Sequence, residues 1–152
     1  MRTRELASTN TPRLNAGLGK GGLRLKMYQY GSPRKRGEGL RLGVARFLPR
    51  GVRKTDYASK DFFDVWYPAL APSAELLRWF RRQPDFEKAW IEYAKRYKRE
   101  MATRPDSRQA VQLVAAMAKR TALAIGCYCA DETRCHRSLL AAIIRDAAAA
   151  SS

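Results

Sequence analysis

The sequence predicts an α/β fold: a small, mostly parallel sheet flanked by helices in a single layered domain. Short segments alternate apolar and polar residues with period two, and longer segments repeat apolar residues with the 3.6-residue helical period. The two kinds interleave along a chain of 152 residues, a length suited to one core. Strands separated by helices pair in parallel, because each crossover returns the chain to the same end of the sheet.

Residues 1–22 mix Thr, Asn, Pro and four glycines without apolar periodicity and read as a flexible basic arm, leaving residues 23–150 as the α/β domain. "GLRLKMYQY" (22–30) suits a strand with Leu23, Leu25 and Met27 on one side. A turn-rich basic loop, "GSPRKRGEG", leads to "LRLGVARFLP" (40–49). Period two there places Leu42, Val44, Arg46 and Leu48 on one face and Arg41, Gly43, Ala45 and Phe47 on the other. Pro49, with no amide hydrogen for a ladder, ends this strand.

The pattern then becomes helical. Ser73 is the expected N-cap of a helix burying Leu76, Leu77 and Phe80, and Pro84 interrupts it. Asp85 caps the next, whose apolar stripe is Phe86, Trp90, Tyr93, Ala94, Tyr97 and Met101, with Glu92 and Arg96 as an i,i+4 pair. Aromatic residues at helical spacing among basic ones are read as core rather than as a nucleic-acid platform. A third helix over residues 107–119 is expected to bury Leu113, Val114 and Met117. "TALAIGCYC" (121–129) reads as a third strand, with Leu123, Ile125, Cys127 and Cys129 on one face, and "RSLLAAIIRDAAAA" (137–150) as the closing helix, whose start is placed near residue 134.

Lys and Arg number 30 against 14 Asp and Glu, for a formal charge of +16, and residues 1–60 hold 15 of the bases with only 3 acids. Such a field draws polyanions without conferring sequence specificity or chemistry. The expected partners are therefore an anionic small molecule or nucleic acid. There is no apolar run of membrane-spanning length and no secretory pattern at the amino terminus, so a cytoplasmic protein without membrane association is expected. Three cysteines make an odd number for a disulfide framework, so reduced thiols are the default.

All three cysteines and the only histidine fall in "CYCADETRCHRSLL" (127–140). If the strand feeds the closing helix, the connecting "ADETR" lies at the carboxyl end of a parallel strand, where open α/β sheets bind ligands. With Asp131 or Thr133 as cap, Cys135 and His136 would occupy the first helical turn. The helix-terminal amides and the charges of Arg134 and Arg137 would then favour a thiolate and an anion. Cys135 is the leading candidate for a reactive thiol, Cys129 the second. His136 shares a helical stripe with Leu139, Leu140, Ile143 and Ile144, which suits a hydrogen-bonded histidine at the core rim as well as a general acid/base. Successive helical residues point about 100° apart, so Cys135 and His136 do not read as an obvious nucleophile and base. Zinc fits this spacing poorly, and no metal or other cofactor is expected. A phosphatase-like loop also fits poorly, because no arginine follows Cys129 after five residues and the loop lacks glycine.

Four blocks in order, "GLRLGVARFLPRGVRK", "WYPALAPSAELLRWF", "FEKAWIEYAKRYKREM" and "LAIGCYCADETRCHRSLL", resemble the proteins called domain of unknown function 488, especially their YeaO-like branch, over about residues 23–147. The resemblance implies a compact α/β fold and a bacterial or archaeal cytoplasmic protein, but no established activity. Against the family pattern V-D-R-x-W-P-R-G, Arg46, Pro49, Arg50 and Gly51 match, while Ala45 replaces the usual aspartate and Leu48 the usual tryptophan. If that aspartate is a catalytic carboxylate, this chain lacks it; if it is an ion-pair partner of the arginine, Arg46 must be satisfied in another way. The Ala71, Pro72, Ser73 block, Trp79 and Phe80 are kept, and Cys135-His136-Arg137 is closer to the broader family than to the YeaO-like branch.

If the strands ending near Leu48 and Cys129 are parallel, Arg46, Arg50, Arg53 and Lys54 share a cleft with Cys129, Arg134, Cys135, His136 and Arg137. The expected function is recognition of a phosphate- or nucleotide-like anion, with cysteine and histidine chemistry centred on Cys135 and His136. The alternative is a non-enzymatic nucleic-acid-associated basic module.

Overall fold

A computed structural model describes residues 22–151. The arm read over residues 1–22 lies, except for Gly22, outside the described residues. Four strands, β1 (Leu25–Gln29), β2 (Leu40–Gly43), β3 (Val65–Trp66) and β4 (Leu123–Cys127), form one sheet in the order β1-β4-β2-β3, and every pairing is parallel. Four α-helices accompany it: α1 (Ala74–Arg81), α2 (Phe86–Thr103), α3 (Pro105–Ala118) and α4 (His136–Ala150). Among the described residues no helix is long and apolar enough to cross a membrane.

The α/β class and the parallel sheet agree with the sequence, but the helices collect on one side. Leu25, Leu42, Val44, Leu123 and Ile125 project from that face of the sheet into a core shared with all four α-helices. The opposite face carries a smaller cluster of Tyr28, Tyr30, Ala45, Ala124 and Phe63, against which Leu48, Tyr57, Phe62 and Trp66 pack. The connection between β2 and β3, rather than a helix, covers this side. Central β4 is buried throughout, because it has a strand on each edge and a cluster on each face. Gly126 is small for a reason: a Cβ there would collide with the Tyr28 ring.

Several boundaries differ from expectation. β2 stops at Gly43, and only the Val44 amide continues toward β4, donating to the Gly126 carbonyl at 2.9 Å. The two-residue β3 is too short to leave any periodicity in the sequence. α1 starts as expected, the Ser73 hydroxyl accepting from the Leu76 amide at 3.1 Å, and Asp85 caps α2 through the Glu87 and Lys88 amides. The expected Arg96–Glu92 pair forms at 3.0 Å. α3 begins at Pro105, whose fixed φ and missing amide hydrogen suit a first helical position. It buries Val111, Val114 and Ala118, whereas Leu113 is exposed, as is Phe86 in α2.

Candidate functional site at the carboxyl ends of β2 and β4

β2 and β4 are hydrogen-bonded neighbours running in the same direction, so the chain leaves both strands on one edge of the sheet. A pocket of about 800 Å³ opens there. Its wall is apolar and aromatic, including Phe47, Leu77, Phe80, Phe86, Trp90 and Tyr93. Arg46, Arg50, Arg81 and Arg134 line it, with no carboxylate among the lining residues. Cys127, Cys129, Cys135 and His136 complete the lining.

The three sulfurs converge because the strand ends early and the loop folds back. β4 ends at Cys127, Tyr128 and Cys129 continue beyond it, and Glu132–Arg134 makes one 3₁₀ turn before α4. Asp131 caps that turn, not the α-helix, accepting from the Thr133 amide at 3.0 Å and from its hydroxyl at 2.6 Å. Cys135 therefore takes the N-cap position with extended backbone, φ −123° and ψ 145°, instead of the first helical turn. The Sγ atoms of Cys127, Cys129 and Cys135 all lie within 4.8 Å of one another. Extended backbone at Cys135 also removes the 100° separation that holds inside a helix, and its Sγ sits 3.7 Å from His136 Nδ1.

The expected ranking of the sulfurs reverses. Cys135 and Cys127 are buried, and Cys129 is the exposed one. The Cys129 thiol is held well below the ordinary cysteine range, first by hydrogen bonding with Cys127 and then with Cys135, with the Arg137 charge adding to the effect. Cys127 is pushed up to about 11, chiefly through its hydrogen bond with Cys129. Cys135 is pushed far above its usual range by its bonds to both other sulfurs. Three thiols this close cannot all ionise on their own, and the negative charge settles on the sulfur with water access.

His136 is a buried ring with both nitrogens engaged. Nε2 lies 2.7 Å from the Val44 carbonyl, which can only accept, so Nε2 carries the proton and Nδ1 presents its lone pair toward Cys135. Burial lowers its pKa to about 4 despite that carbonyl. Tyr97 packs edge-on to the ring, with centroids 5.5 Å apart. The core-rim histidine and the histidine facing a thiol are thus the same residue.

Arg46 answers the question raised by Ala45. Its Nε donates to the Pro72 carbonyl at 2.8 Å and its Nη2 to those of Pro68 and Ala71 at 3.1 and 3.3 Å. Backbone carbonyls thus satisfy the guanidinium without an acidic partner at position 45, and they tie the end of β2 to the entrance of α1. Arg134 lines the pocket but is paired with Glu87 at 2.7 Å. Arg137 does not line it: the side chain is buried, donating to the Tyr28 and Cys129 carbonyls at 2.5 and 2.7 Å. Arg53 and Lys54 also fall outside the lining. Both are exposed on the 3₁₀ turn Lys54–Asp56, where Arg53 pairs with Asp56 at 3.1 Å.

Sequence reasoning missed Trp90 and Tyr93 as pocket residues because it assigned the aromatic stripe of α2 wholly to the core, and it missed Arg81 because no local signal brings the end of α1 to this edge of the sheet. Phe86, 54% exposed at the head of that stripe, is the residue whose apolar character had no core to explain it.

The comparisons with known proteins agree with the four sequence blocks. A family model described as the active DUF488-N3 subclade matches residues 25–148. The chain belongs to this family. The match covers every strand and all of α4 except Ala149 and Ala150, so the pocket and the thiol cluster lie within the DUF488-N3 unit. An uncharacterized protein of Mycobacterium bovis is 36% identical over 64 residues, 42% of this chain and 48% of that protein. Uncharacterized proteins from two Mycobacterium tuberculosis strains, CDC 1551 and H37Rv, match to the same extent. The aligned part spans about half the length of these curated relatives. No solved structure matches the DUF488-N3 chain significantly.

Proposed function

We propose that the pocket binds a small anion bearing an aromatic or apolar group, of the phosphate- or nucleotide-like class, with Cys129 and the buried Cys135–His136 pair at its floor. The observation that carries this reading is the contrast among the lining arginines. Arg46 and Arg134 are occupied by protein groups, whereas Arg50 and Arg81 are exposed and have no hydrogen-bond or ion-pair partner among the described residues. Guanidinium groups beside an aromatic wall suit a ligand with a phosphate at one end and a planar ring at the other. Residues beyond the pocket, including Arg53 and Lys54, supply at most a long-range field.

Trp90 lines the pocket and reports occupancy by its fluorescence. Titration with inorganic phosphate, pyrophosphate and nucleoside mono- and triphosphates is expected to give saturable quenching, strongest for the nucleotides. Arg50→Ala and Arg81→Ala should each weaken binding by about 10-fold, the loss of one charge-assisted contact. Arg78→Ala, on the same helix but outside the lining, should leave it unchanged. Equal behaviour of all three variants, or no saturable response, overturns the proposal. Salt-sensitive binding of single-stranded nucleic acid that mononucleotides do not compete would replace it with the nucleic-acid-associated module.

A further inference from the structure

We propose that Cys127, Cys129 and Cys135 form a three-thiolate site for a zinc-class cation, with Arg137 as its buried counter-charge and a fourth coordination position opening into the pocket. This goes beyond the anion-binding reading and does not depend on it.

The first support is convergence. The three Sγ atoms lie within 4.8 Å of one another, while tetrahedral zinc with Zn–S distances of about 2.3 Å places its sulfurs about 3.8 Å apart. The required contraction is small and falls on Cys129, beyond the end of β4, and Cys135, between the 3₁₀ turn and α4. The spacing looked wrong for zinc only while Cys129 was placed on a strand and Cys135 inside a helix.

The second support is charge. Arg137 is a 2% exposed guanidinium with no carboxylate within ion-pair distance among the described residues, and its Nε has no hydrogen-bond partner. A buried cation in that condition is costly unless an anion offsets it. Three thiolates around a divalent cation carry a net charge of −1, which Arg137 neutralises. The same side chain holds the Cys129 carbonyl at 2.7 Å and so fixes the loop bearing the exposed ligand.

The third is the surrounding shell. Buried Cys127 and Cys135 anchor the cation on the protein side, and exposed Cys129 leaves an entry path from the pocket. Three protein ligands with one open position is the arrangement of zinc centres that receive a further ligand, in contrast to closed structural sites. Binding is a proton exchange without redox change: the Cys129 thiolate coordinates directly, the S–H bonds of Cys127 and Cys135 give way to S–Zn bonds, two protons pass to solvent, and the cation sheds water.

The test uses the full chain, reduced with a phosphine, stripped with a chelator and desalted. Cobalt(II) is expected to bind at one equivalent with thiolate-to-metal charge-transfer absorption, and zinc(II) to displace it at one equivalent, whereas magnesium(II) does not. Cys127→Ser, Cys129→Ser and Cys135→Ser should each weaken cobalt binding and cut the charge-transfer intensity by about a third or more, and the three together should remove it. Arg137→Met should weaken zinc binding by about 10- to 100-fold, with Arg137→Lys recovering part of it. Because these variants could unfold, zinc protection of the wild-type cysteines from alkylation, read by mass, is measured as well. Absence of both the band and the protection overturns the proposal, as does equal zinc binding by a chain with all three cysteines changed to serine. Repeating the Trp90 titration with and without zinc keeps the two proposals separate, since loss of nucleotide binding leaves the cobalt result standing.

Discussion

Arg41 shows what one buried charge demands of its neighbours. The side chain is fully buried, yet all its nitrogens are satisfied: Nε and Nη2 donate to the Glu38 carboxylate at 2.8 and 3.3 Å, and Nη1 to the Ser32 and Asp61 carbonyls at 2.9 and 2.8 Å. The guanidinium also lies over the Tyr28 ring, 4.0 Å from its centroid. Burial alone would raise the Glu38 carboxyl, but its bonds with Arg41 and the Lys35 amide outweigh this and hold it low. Removing the acid would leave a guanidinium without its counter-ion in a water-poor site. Glu38→Ala should therefore cost about 3–5 kcal/mol in urea unfolding. Adding Arg41→Met should recover only part of that, because the Ser32 and Asp61 carbonyls then lose their donor. A loss below about 1 kcal/mol for the single variant would mean that water replaces the carboxylate.

At the scale of elements, α1 depends on its first turn. The Ser73 hydroxyl caps the Leu76 amide, while the Ser73 amide is held by the Glu100 carboxylate of α2 at 3.0 and 3.2 Å. Ser73→Ala removes the cap and leaves the Glu100 contact, so about 1 kcal/mol should be lost, with Ser73→Thr close to wild type; thermal unfolding of the pair measures it. This cap was legible in the sequence because proline and serine before an apolar helical stripe form a local signal, and β1, β4 and α2 were legible for the same reason. β3 was not, since its existence rests on the Tyr67 amide reaching the Gly43 carbonyl at 2.8 Å across the sheet. The site was legible by half. Parallel strands, expected to end near Leu48 and Cys129, could be anticipated to share an edge, but the 3₁₀ turn that gathers the sulfurs and the α1 and α2 side chains that wall the pocket are set by tertiary packing. Arg137 was misplaced for a related reason: its role is fixed by carbonyls of Tyr28 and Cys129, 109 and 8 residues away.

For the whole molecule, the decisive element is β4, which belongs to both clusters. Leu123 and Ile125 join the helical core, while Ala124 and Cys127 join the cluster beneath the β2–β3 connection. Losing either cluster uncovers a strand whose residues are otherwise sealed, so neither face should melt alone. The tryptophans can test this, because Trp66 packs on the smaller cluster and donates to the Ala45 carbonyl at 2.9 Å, whereas Trp79 and Trp90 pack on the larger. In one variant Trp66 is the sole tryptophan, and in another it alone becomes phenylalanine. Urea unfolding of each is followed by fluorescence and by far-ultraviolet circular dichroism. The two signals are expected to share one midpoint within each variant, since the comparison is internal and tolerates a stability change from the substitutions. A Trp66 transition at lower urea than the helical signal would instead make the β2–β3 connection a separately opening flap, and the pocket edge formed by Phe47, Leu48 and Arg50 would open with it.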